Sequence, residues 1–300
     1  MRGRSIPLPP SRRFICDLMR ASMRVPTVPV QRCMHLKKVI QARAALAVRP
    51  PWTALFSKAF ALVARDMPEL RRAYVKFPWP HLYEYPVSRV SIAIERDYLG
   101  EKAVFIGLIR DPAAMPLPAL ARAIRDLRET PIDSSKDFQR LLRLSRMPTP
   151  VRRLAWWIGL NLGRQRGNYF GTFGITSYSR LGAESLHPLS PCTATINYGV
   201  IAGDGSVPVR ISYDHRVLDG STIARALERV EALLTGEICG ELQALSAEPD
   251  DQDAPSQERQ APRAATTEGS GQPLLTAYPT IAGPEPAEQE QHTTLPTKAA

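Results

Sequence analysis

The sequence contains no C-x-x-C pair. Its four cysteines, Cys16, Cys33, Cys192 and Cys239, are widely separated. That spacing speaks against a site of paired zinc thiolates or a disulfide frame, and suits reduced thiols in a cytoplasm. Histidines are few, five in all, and none clusters with another, so no metal is expected. No G-x-S-x-G elbow occurs, which disfavours a serine hydrolase of that type. No run approaches the ~18 apolar residues that a membrane span needs. The opening "MRGRSIPLPPSRRF" has charge but lacks the apolar segment of a secretion signal. The expectation is a soluble, cytoplasmic protein.

Aliphatic residues become scarce beyond residue 240. From Glu241 the chain turns to Pro, Gln, Glu, Ala and Thr without periodicity, a composition that buries too little apolar surface to offset its ordering entropy. The sequence therefore divides into a folded body, 1–240, and an acidic tail, 241–300, expected to be disordered. The tail holds ten acidic and three basic residues, a net −7, so the whole-chain charge of +10 leaves +17 on the body. So basic a body expects an anionic partner: cofactor phosphates, an acidic carrier protein, a membrane surface or nucleic acid. A merely solvated basic surface is the plain alternative.

Along the body, "SRRFICDLMRASMR" (11–24) suits a short amphipathic helix, and 25–36 alternates as a strand whose prolines favour an edge. Residues 52–70 repeat apolar side chains at helical spacing. Strands are expected at 89–97 and 101–111, followed by a helix over 116–130. Residues 138–166 combine seven arginines, no acid and the pair Trp156–Trp157, with Pro148 and Pro150 interrupting any long amphipathic face. This segment suits a lid for an extended acyl chain or a docking face for a carrier or membrane. The reading preferred for it is a packed helix with arginines reaching outward. Gly203-Asp204-Gly205 marks a hairpin turn, and a helix follows at 221–235 with Gly236 as its C-cap. Helices interspersed with strands that must pair antiparallel give an α+β, two-layer sandwich.

The chemistry concentrates in "VPVRISYDHRVLDGSTIARALERVEALLTG" (207–236), where an apolar strand meets a helix. Strict alternation puts Val207, Val209, Ile211, Tyr213 and His215 on one face, so His215 is expected to point inward and Asp214 away. A desolvated imidazole stays neutral near pH 7, the state that a general base requires. Plainer alternatives stand beside this one. Asp219 could be an N-cap, worth about 1 kcal/mol, and His215 could be a satisfied core histidine. Spacing alone leaves them open.

The stretch "SYDHRVLDG" before a helix closely resembles the signature of the acyltransferase catalytic domain of 2-oxo-acid dehydrogenase complexes, and its H-x-x-x-D-G is shared with chloramphenicol acetyltransferase. "SRRFICDLMRASMRVPTVPV", "FSKAFALVARDMPEL", "GLIRDPAAMPLPALARAIRDL" and "FGTFGITS" resemble further segments of that family in the same order, over about residues 8–237. The resemblance implies a two-layer sandwich with a mixed sheet and helices on one face, forming a homotrimer with its site between subunits. It implies coenzyme A or acyl-CoA as a substrate, His215 as the base and Asp219 paired with Arg12 to order the turn before Gly220. Thr176 or Ser177 would stabilise the oxyanion. The sequence departs from the family in lacking a lipoylation site and the domains that usually precede the core, and in carrying Leu18 where the opening helix usually has arginine. No covalently bound lipoyl group is therefore expected. A stand-alone acyltransferase is the leading expectation. A dehydrogenase core served by lipoyl domains of another chain comes second, and a non-catalytic basic scaffold third. Nucleic acid is the least favoured partner.

Overall fold

The apolar alternation of the strands builds one mixed sheet of six. The structure is a computed structural model that describes residues 3–247. The strands are β1 (Thr27–His35), β4 (Arg89–Tyr98), β5 (Glu101–Arg110), β6 (Phe173–Thr176), β7 (Ala194–Tyr198) and β8 (Ser206–Asp214), and they lie in the order β1-β8-β7-β6-β4-β5. The proline-bearing β1 lies at an edge, as a strand with missing donors must. Strand β6 runs parallel to both its neighbours, β4 and β7, while the other pairs are antiparallel. A separate hairpin joins β2 (Arg72–Val75) to β3 (His81–Glu84), which the sequence pattern does not announce.

On one face, Val90 and Ile92 of β4, Phe173 and Ile175 of β6, Ile196 of β7 and Ile211 of β8 form the main core. Helices α3 (Trp52–Asp66), α4 (Leu117–Glu129) and α8 (Gly220–Leu233) cover it. Helix α3 is buried continuously from Thr53 to Ala64 because it lies between the sheet and other helices. Phe60 meets Phe173 at 4.7 Å between ring centroids, and Phe56 stacks on Tyr198 at 4.6 Å.

The α+β class is as expected, but the helices are not confined to one face. Helices α1 (Pro10–Ser22), α6 (Thr149–Asn161) and α7 (Gly163–Phe170) roof the opposite side of β4 to β6, and α5 (Lys136–Arg146) wraps the β5 edge, with Phe138 against Phe105 on the first face and Leu144 under the roof. The break at Pro148 falls where the sequence puts it, between α5 and α6. Past that break the two tryptophans separate: Trp156 is buried against Phe14 and Phe170, whereas Trp157 faces outward.

The body also runs past residue 240. Gly236 has no left-handed conformation and does not end α8. The helix passes through a π-helical turn, Leu234–Ile238, into α9 (Cys239–Ala247). Leu242 is fully buried, and Glu241 both pairs with Lys58 at 2.5 Å and accepts the Leu117 amide at the head of α4. Polar composition alone misses these anchors. The rest of the expected disordered tail, 248–300, lies outside the described residues.

Candidate active site

The end of β8 is pinned from two sides. The Asp214 amide donates to the Thr193 carbonyl at 2.8 Å, and the His215 amide donates to the Pro26 carbonyl at 3.0 Å. The turn closes when the Val217 and Leu218 amides return to the Asp214 carbonyl. His215 is thus fixed in backbone, but it does not point into the core: its side chain is 50% exposed. The buried group is Asp214, at 0%, which reverses the expected pair. Strand parity is kept, since His215 lies 5.5 Å from the Tyr213 ring on the same side. The core layer, however, ends at Tyr213, while the opposite face is covered at this level by β2.

Asp214 is buried without being isolated. Its Oδ1 accepts the Arg216 amide and Nε at 3.0 and 2.9 Å, and its Oδ2 accepts Nη2 at 2.7 Å. The guanidinium in turn lies 4.4 Å over the Tyr74 ring of β2. A bidentate pair of this kind fixes geometry as well as charge. It clamps the two residues that flank His215, a role that alternation alone does not reveal.

Asp219 stands at the N-cap position of α8 but makes no capping bond. It is 80% exposed, and its Oδ1 lies 3.9 Å from His215 Nδ1. The expected ion pair with Arg12 does not form within the chain: Arg12 is exposed on α1, and α1 packs on the sheet face opposite α8. The ion pair that α1 does make is Asp17 with Arg152, at 2.8 Å. Gly220 opens α8, where an added Cβ would meet only the Tyr213 hydroxyl at an ordinary 3.4 Å, so space does not demand a glycine there.

The Gly-Thr-Phe segment, 171–173, leads into β6 at the His215 end of the sheet, where Phe173 stands level with Tyr213, and β6 runs from there to Thr176 at the other end. Gly171 has φ +80°, and a Cβ there would come within 2.8 Å of the Arg89 carbonyl, so only glycine fits. Two residues beyond Gly174, the Thr176 side chain faces a cavity and makes no side-chain hydrogen bond among the described residues. The neighbouring Ser177 hydroxyl is engaged: it lies 2.9 Å from the Tyr198 carbonyl and from Ser179 Oγ, and accepts the Ser179 amide at 3.2 Å.

The two ends do not meet. In the ladder Phe173, Ala194 and Tyr213 stand level, and so do Thr176, Asn197 and Arg210. His215 therefore lies about five residues along the strands from Thr176, roughly 17 Å at ~3.3 Å per residue, and two strands away. One chain holds the base and the hydroxyl apart.

Beside Thr176 opens a cavity of about 890 Å³ between the sheet and α1, α5, α6 and α7. Cys192 lies on its floor, donating to the Phe170 carbonyl at 3.1 Å with Ser91 Oγ at 3.6 Å. Burial pushes this thiol's pKa up, against the opposing effects of Ser190, Ser91 and the Arg166 charge, so it stays a protonated packing group. Arg166 of α7 is itself buried and donates to the Tyr74 and Pro191 carbonyls, tying the loop before Cys192 to β2. Burial lowers its pKa, although Tyr85, Cys192 and Asp214 act against that. No spacing signal in "GRQRGNYF" marks this arginine out from its neighbours.

No family model matches the sequence, and no curated protein matches it significantly. Solved structures do match in fold. A probable dihydrolipoamide acetyltransferase from Listeria monocytogenes aligns at TM-score 0.57 and 19% identity, over 82% of this chain and 97% of its own. The dihydrolipoamide acetyltransferase of Azotobacter vinelandii, described by the catalytic roles of a serine, a histidine and an asparagine, aligns at TM-score 0.59 and 19% identity, over 80% and 94%. The cubic core of a pyruvate dehydrogenase complex aligns at TM-score 0.57 and 20% identity, again over 80% and 94%. The chain shares the fold of these acyltransferase cores.

Proposed function

We propose that this chain is an acyl-CoA-dependent acyltransferase whose active site is completed by a second copy of itself. His215 would come from one subunit and Thr176 from the next. The observation that carries this reading is the separation of two suitable groups, each accessible and held by its own backbone, at opposite ends of one sheet. A homotrimer, the state expected from the family resemblance, would let each His215 reach a neighbour's Thr176.

In this reading an unprotonated ring nitrogen of His215 takes the proton from an acceptor thiol or hydroxyl. The freed sulfur or oxygen attacks the thioester carbonyl, and the Thr176 hydroxyl donates to the oxyanion that forms. Collapse expels the CoA thiolate, which recovers the proton from the imidazolium. Ser177 is the second choice of donor because its hydroxyl is already engaged. The Asp214–Arg216 pair positions His215, and Asp219 Oδ1 lies 3.9 Å from its Nδ1. Arg12 and Gly220 take no part in the chemistry. Acyl-CoA is a substrate here, and the scheme needs neither a metal nor a lipoyl group attached to this chain. The net +17 on residues 1–240 suits CoA phosphates or an acidic carrier.

The test is release of free thiol from a panel of acyl-CoAs. His215→Ala should lower turnover by ~10²–10⁴, and Thr176→Ala by ~10²–10³. Co-expressed as mixed oligomers, the two variants should recover activity at interfaces that pair one intact residue of each kind. Unchanged turnover in His215→Ala would overturn the reading. A second reading, a dehydrogenase core acting on lipoyl domains of another chain, draws on the fold shared with the cubic core. It predicts acyl transfer to dihydrolipoamide and a particle mass far above a trimer.

A further inference from the structure

Under α1, α6 and α7, strands β4, β6 and β7 present small side chains to the cavity, beside Val104, Ile106 and Leu108 of β5. Ser91 and Ala93 of β4, Gly174 of β6 and Thr195 of β7 alternate with Val90, Ile92, Phe173 and Ile196 on the packed face. Interiors close-pack, yet here the floor stops short while Phe14, Leu144 and Trp156 hold the roof away from it. The resulting cavity of about 890 Å³ lies at the upper end of the ~300–1,000 Å³ typical of ligand sites.

Its chemistry is one-sided. Charged residues among the lining are Asp137, Arg140 and Arg143, all on α5, and the remaining walls are largely aliphatic and aromatic. Its extent is also telling. The lining reaches from Ile106 on β5 across β4 and β6 to Thr195 on β7, three strand spacings of ~4.8 Å or about 14 Å. A bilayer's hydrocarbon core, two tails deep, is ~30 Å thick, so one lipid-length tail extends about 15 Å. Left to water, apolar walls of this area lose both hydrophobic and dispersion contacts; a hydrocarbon chain restores both.

We infer that this cavity is the chamber for a hydrocarbon tail of lipid length, carried on the molecule that reacts at Thr176. The identity of the reacting end rests on the acyltransferase reading; the tail rests on the cavity alone. The tail can belong to the acyl group of the thioester or to the acceptor, and both present the same alkyl chain to these walls.

Calorimetric binding to the full chain separates the two sources, with palmitoyl-CoA against acetyl-CoA in one arm and 1-decanol against 1-butanol in the other. At least one long-chain ligand should bind tenfold or more tightly than its short counterpart. The first arm identifies an acyl tail, the second an acceptor tail. Ala93→Phe, on the floor, and Ala155→Phe, on the roof, each fill the chamber and should reduce that preference at least tenfold; either variant suffices if the other does not fold. Equal affinity for long and short ligands in both arms overturns the inference, as does a preference that survives both substitutions. His215→Ala keeps the chain-length preference. A long-chain preference with no thiol release from any acyl-CoA therefore strikes the acyltransferase reading and leaves the chamber. Thiol release without a preference does the reverse.

Discussion

The two faces of the six-stranded sheet are made by alternate residues of the same strands and serve opposite ends. On the face under α3, α4 and α8, bulky side chains such as Ile92, Phe173 and Ile211 are buried in one continuous cluster. On the face under α1, α6 and α7, the alternate positions of β4, β6 and β7 are small and the roof stands off. One face supplies stability, and the other gives up packing to hold a cavity. A strand of period two can encode both at once because neighbouring side chains never share a side.

The sharpest way to break the comparison is to truncate one residue on each face. Phe173→Ala, which removes a ring buried against Phe60, should lower stability by about 3–5 kcal/mol in urea unfolding. Ser91→Ala, one strand over on the cavity side, should cost no more than about 1 kcal/mol. Equal losses would mean that the cavity face is packed as tightly as the core.

Next in size is the clamp at the end of β8, on the side that β2 covers. Arg216→Leu leaves the buried Asp214 carboxylate without its bidentate partner, and about 3 kcal/mol of stability should go with it. Asp214→Asn combined with Arg216→Leu should recover part of that loss, because the unpaired carboxylate is then gone. A double variant no better than the single one would show that the pair does not act through charge.

The smallest effect concerns how α8, on the packed face, holds edge strand β1. Burial alone would raise the Glu231 carboxyl, but hydrogen bonds from Arg32 Nε at 2.6 Å and the His35 amide at 2.8 Å outweigh it and depress the pKa. A depressed carboxyl stabilises the fold above its unfolded pKa of ~4.3, and that contribution is lost as pH falls through the folded value. Glu231→Gln should therefore lose up to about 1 kcal/mol at pH 7 and little at pH 3, a difference that thermal melts at the two pH values measure.

Much of this architecture was legible in the chain. The strands around Ile92, Phe105, Ile196 and Ile211 declare themselves by alternation, helix α4 by its apolar stripe, and edge strand β1 by Pro29. The break between α5 and α6 follows from Pro148. The β2–β3 hairpin did not show, because its strands are four residues each and too short to display a period. Helix α9 was missed for a different reason: Leu242 and Glu241 are held by particular partners that composition does not register.

At the candidate site, type and spacing singled out His215 and Asp219, the family resemblance pointed to Thr176 or Ser177, and strand parity put His215 on the side of Tyr213. It could not say that the core layer stops at Tyr213, nor that Asp214 is the buried member with Arg216 as its partner. Burial depends on what the other elements place over a residue, and periodicity within one strand carries no information about that. The same holds for the distance between Thr176 and His215 and for the cavity beside Thr176. Which residues share a face is a local property of backbone geometry, and the sequence determines it. How far apart the strand ends lie, and whether a face is filled or left open, belongs to the sheet order and the helices above it, and only the tertiary structure decides it.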